Sequence, residues 1–109
     1  MPPPSQLAIA TSSLNRLVKE EASYHKELEQ QQASIAKLEQ GGGDENAEYT
    51  LRQERRAVEE TKAIFPQLKQ KIEDALSKLE QQLEQDTQGD AEIVAKAKEA
   101  VAAGKKALG

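Results

Sequence analysis

A chain of 109 residues, 37% hydrophobic but only 3% aromatic, is long enough for one small domain and too poor in aromatics for a sandwich core or an enzyme pocket. Its charged residues make up 31% in mixed sign with a net charge of -4, which argues against a nucleic-acid binder, since phosphates require a basic face. The absence of cysteine excludes disulfides, thiolate catalysis and thiolate metal sites.

The first residues, Met1-Pro2-Pro3-Pro4, disfavour helix and predict a short extended tail over 1–4. They have neither the basic nor the apolar segment of a secretion signal. No apolar run approaches the roughly 20 residues of a membrane span. A soluble, cytoplasmic protein is the expectation.

Ser5 is a suitable N-cap for a first helix over residues 5–40, because no Gly or Pro interrupts that stretch. Thr11-Ser12-Ser13 is its weak spot, and Ser12 is the alternative start. Leu14, Leu17, Glu21, Tyr24, Leu28, Gln31, Ile35 and Leu38 follow one another in steps of three and four. Such steps return side chains to one helical face, so these residues form a single seam. Gly41-Gly42-Gly43 ends the helix, glycine being tolerant of the left-handed cap.

Asp44 is the expected N-cap of a second helix over 44–86, with Glu45 and Glu48 favoured in its first turn by the helix dipole. Its seam runs Val58, Thr61, Phe65, Leu68, Ile72, Ala75 and Leu79, widened by Leu76 and Leu83. Arg55 with Glu59, and Asp74 with Lys78, are opposite charges four apart that predict helix-surface ion pairs. Pro66 removes a backbone hydrogen bond and crowds the preceding turn. Yet the seam stays in phase from Phe65 to Leu68, which favours a kinked continuous helix over a break.

Thr87-Gln88-Gly89-Asp90 supplies a stop and a new cap. A third helix over 90–108 places Ile93, Val94, Ala97, Val101 and Leu108 on one side, and Gly104 predicts a frayed end. The fold class implied is all-α. Three antiparallel helices form an elongated, coiled-coil-like or spectrin-like bundle, one domain over 5–109, in which helix three covers the seam. Polar Glu21, Gln31 and Thr61 in the seams either set register at some cost in stability or lie at the core margin.

Little in the sequence supports chemistry. His25 is the only histidine, and although Glu21 and Glu29 lie one turn either side, a di-iron bundle needs a Glu-x-x-His pair on each of two helices. Glu20-Glu21 and Glu59-Glu60 are adjacent in sequence and point different ways, as solvated carboxylates do. The glycine triplet lacks the Gly-Lys-Ser/Thr of a phosphate loop, and Asp44 and Glu45 would repel an anion. No enzyme, metal, cofactor or small-molecule ligand is expected. Arg52, Arg55 and Arg56, interleaved with Glu54, Glu59 and Glu60, form either a plain mixed-charge face or part of a protein-binding surface.

Several stretches resemble one family. Arg16-Leu17-Val18-Lys19-Glu20-Glu21 followed by Tyr24 and Glu27, then Tyr49, Leu51, Gln53, Glu60-Thr61-Lys62 and Ile64-Phe65-Pro66, look like tubulin-binding cofactor A, also called tubulin-specific chaperone A. The resemblance spans Ser5 to Leu108; Thr11–Ser13, Gly41–Gly43 and the alanine-rich third helix depart from it. It implies a three-helix cytosolic chaperone, associated with the tubulin cytoskeleton, that binds β-tubulin monomers released from the chaperonin. The client would pass towards cofactor D and heterodimer assembly without ATP. On the matching exposed positions, Arg16, Lys19, Glu20 and Lys26 of helix one and Arg52 and Arg56 of helix two are the candidate partner contacts. The rival is a coiled-coil scaffold or oligomerisation module; the cofactor reading expects a monomer, with a dimer left open.

Overall fold

The structure, a computed structural model, describes residues 5–41, 45–85 and 90–109. Every regular element among them is helical: α1 Gln6–Glu39, α2 Ala47–Gln85 and α3 Ala91–Leu108. The expected tail over 1–4, the Gly42-Gly43-Asp44 cap region and the turn over 86–89 lie outside the described residues.

Local chemistry sets the helix ends. Ser5 Oγ accepts from the Ala8 amide at 3.0 Å, satisfying one of the amides that a helix start leaves without a partner. Thr11 does not delay the start to Ser12; its hydroxyl donates to the Leu7 carbonyl at 2.8 Å, so the helix runs unbroken from Gln6. At the other end Gly41 adopts φ +89, and its amide donates to the Leu38 carbonyl at 3.3 Å, a left-handed glycine cap. α2 begins later than the expected 44, at Ala47, with the Thr50 amide donating to the Asn46 carbonyl at 2.9 Å. For α3, Asp90 Oδ1 accepts from the Glu92 amide at 2.8 Å, Glu92 stands in the first turn and Lys105 and Lys106 in the last. Both placements suit the helix dipole. Gly109 closes the helix at φ +93.

α2 is one helix through Pro66, so the break is excluded. The described residues group into two compact units: Met1–Glu21 with Leu68–Gly109, and Ala22–Gln67.

The first unit takes segments from all three helices and holds a complete core. Leu7, Leu14, Ile72 and Leu79 are 0% exposed, joined by Ala10, Leu76, Ala97 and Ala100. Leu17, Val18, Leu83, Ile93, Val94 and Val101 pack against that cluster. Gly104 belongs here too, buried inside α3 rather than marking a frayed end. A Cβ at that position would stand 3.2 and 3.3 Å from the Leu14 Cδ atoms and 3.4 Å from Leu76 Cδ1. The missing side chain is what lets α3 come so near α1, and the helix survives the propensity penalty because packing offsets it.

The second unit contains α1 and α2 only, which run antiparallel: His25 meets Phe65, with ring centroids 4.4 Å apart, and Glu39 meets Arg55. With no third helix, covering of the seam fails here. Val58 and Thr61 are buried, whereas Tyr24, Leu28, Gln31, Ile35, Leu38, Leu51 and Phe65 are half-buried. Gln31 Oε1 is enclosed and has no hydrogen-bond partner. A buried acceptor without a donor costs about 1–3 kcal/mol, so Gln31→Leu should stabilise the protein by about 1 kcal/mol, read from the urea midpoint at constant slope. A lower midpoint would show that the amide is bonded.

Candidate partner-binding surface

The six residues that the sequence nominates are all exposed. Arg16, Lys19 and Glu20 sit on the part of α1 within the first unit; Lys26, Arg52 and Arg56 belong to the second. None of them forms an ion pair among the described residues. Arg52 and Arg56 lie one turn apart and so share a face of α2. Lys26 does not join them: its neighbour His25 stacks on Phe65, which places it roughly 14–20 Å along the helix pair at 1.5 Å per residue.

Two expected ion pairs are replaced by other contacts. Arg55 reaches across to Glu39 at 3.5 Å instead of pairing with Glu59. Asp74 accepts from Gln70 Nε2 at 3.0 Å in place of Lys78. Further pairs, Lys96 with Glu92 at 3.5 Å and Lys105 with Glu80 at 3.8 Å, join well-solvated groups and add at most a few tenths of a kcal/mol each.

Tyr49 is not among those six residues. It is 60% exposed and, with Ile9 at 53%, is one of two large apolar side chains so open to solvent among the described residues. A large hydrophobic side chain at a position out of phase with its helix's seam was the available signal.

The surface carries open grooves. One of about 510 Å³ lies between Ala8, Thr11, Ser12 and Asn15 of α1 and Ile93, Lys96, Glu99, Ala100 and Ala103 of α3. A second, about 350 Å³, is lined by Glu48, Leu51, Arg52 and Arg55. No three His, Asp or Glu side chains converge as a metal site among the described residues. No described helix is long and apolar enough to cross a membrane.

Fold and surface together define a protein that is all-helical, with charged, solvated faces, over its described residues. Residues 2–101 match the model of the tubulin binding cofactor A family, and the chain belongs to that family. It is 35% identical to tubulin-specific chaperone A of Saccharomyces cerevisiae over 96% of this chain and 95% of that protein. It is 32% identical to the Mus musculus protein of the same name over 72% and 70%. The crystal structure of tubulin folding cofactor A from Arabidopsis thaliana superposes with a TM-score of 0.79 at 31% identity, covering 92% of each chain.

Proposed function

We propose that this chain is a tubulin-folding chaperone that captures β-tubulin monomers after chaperonin release and passes them towards αβ-tubulin assembly, with cofactor D as a further partner. The carrying observation is the family match over residues 2–101. The charged exterior is in keeping with it: partner capture of this kind draws on many spread contacts, steered by charge and weakened by salt. Capture proceeds without ATP, metal or covalent chemistry, in the cytoplasm, by a monomer whose residues 5–109 act as one domain. Arg16, Lys19, Glu20, Lys26, Arg52 and Arg56 contribute the polar contacts.

Purified chain is expected to co-elute with β-tubulin but not with α-tubulin on gel filtration, with no nucleotide added. Equal retention of both, or of neither, removes this reading. The half-buried seam of the second unit, Leu28, Ile35, Leu38 and Leu51, favours one rival, a scaffold that buries it by self-association. Sedimentation separates the two, because a scaffold gains mass with concentration and a chaperone monomer does not.

A further inference from the structure

Within the second unit, α2 turns Val58 and Thr61 inward. By helical spacing the opposite face carries Tyr49, Arg52 and Arg56, three and four residues apart, all exposed. The two arginines differ from their neighbour Arg55, whose guanidinium is held by Glu39 at 3.5 Å. Four carboxylates stand within helical reach of the strip, Glu45 and Glu48 before it and Glu59 and Glu60 after it, but none forms an ion pair with Arg52 or Arg56. A chain of net charge -4 thus holds, on one face, two adjacent guanidiniums without an ion-pair partner among the described residues, next to an open tyrosine. Of the three, only Arg52 also borders the groove of about 350 Å³ that Glu48, Leu51 and Arg55 complete on the flank of α2.

We infer that the Tyr49–Arg52–Arg56 strip is the docking surface for an acidic segment of the client, a run of carboxylates laid along Arg52 and Arg56 beside Tyr49. The inference rests on the tubulin reading and names the chemistry of one contact within it. Guanidinium forks match carboxylates in bidentate geometry, and tyrosine and arginine are the side chains on which binding energy concentrates at interfaces. Glu45 and Glu60 border the strip, so an acidic segment must lie between them; a basic or neutral segment gains nothing from the arginines.

The test pairs client binding with a direct probe. Arg52→Gln/Arg56→Gln should weaken β-tubulin binding by about tenfold or more and flatten its salt dependence, and Tyr49→Ala should weaken it by about fivefold. Lys71→Gln/Lys98→Gln removes the same charge from exposed positions elsewhere and should leave affinity within about twofold, since isolated surface charges contribute little. All these side chains are exposed, so an unchanged melting temperature shows that the fold is intact. In parallel, a glutamate-rich peptide, titrated into labelled protein, should shift amide resonances of residues 48–56, and its glutamine counterpart should not. Equal losses from both charge pairs, unchanged binding by Arg52→Gln/Arg56→Gln, or peptide shifts spread over all helices would overturn the strip. If the unmodified chain fails to hold tubulin, the functional reading falls, and the peptide titration alone decides the strip.

Discussion

Leu14→Ala should cost about 3–5 kcal/mol of stability, the upper part of the range for leucine truncation in a packed core. Leu14 is 0% exposed, and its Cδ atoms stand against the backbone of Gly104. The cavity left by truncation therefore faces a helix with no side chain to swing into it. A domain of this size has about 5–15 kcal/mol of total stability, so the variant loses a large share, visible as a lower urea midpoint at unchanged slope. Leu28→Ala, half-buried in the second unit, should cost no more than about 2 kcal/mol, because water already reaches part of the side chain. The pairing also has a sign. With Leu14 shortened, Gly104→Ala should recover about 1 kcal/mol, since the new Cβ enters the cavity and alanine favours helix by about that amount. A loss below about 1 kcal/mol for Leu14→Ala would show that α1 and α3 do not pack as described.

The same contact shows what the amino-acid order conveys and what it hides. Steps of three and four expose the seams directly, because a helix returns to its face at that spacing; Leu14, Ile72 and Leu79 are legible as core for that reason. Ser5 and Asp90 are legible as caps because their oxygens suit free amides. Gly104 misleads, since a glycine that weakens a helix and a glycine that admits a neighbouring helix have the same spelling. Arg55 misleads similarly: its carboxylate at four residues' distance is visible in the sequence, whereas Glu39 lies on another helix. The extent of the third helix's cover is hidden for a different reason. Leu28 and Leu14 occupy equivalent seam positions, and which of them a third helix buries depends on tertiary placement, not on local spacing. Candidate contacts are least legible of all. When 31% of residues are charged, unpaired cations are common, and what sets Arg52 and Arg56 apart is a shared helix face with the open Tyr49, a property that exists only in three dimensions.

Pro66→Ala should raise stability by about 1–3 kcal/mol. Pro66 lies inside α2 and is exposed, so alanine meets no steric obstacle and supplies the amide that the Lys62 carbonyl otherwise lacks. The interior penalty of proline is about 3 kcal/mol. The stiffer unfolded chain that proline gives offsets about 0.4–1 kcal/mol of it. The net gain should appear as a melting temperature higher by about 5–15 °C and as stronger helical dichroism at 222 nm. Tubulin capture should weaken in the same variant if it draws on the shape of α2, because proline is a cause of helix kinks and alanine is not. Opposite movement of stability and capture separates a shape role from a folding role: a proline kept only as a tolerated defect would give a hotter melt with unchanged binding. A lower melting temperature would contradict the continuous helix itself, because only a backbone already bonded around Pro66 could lose by its replacement.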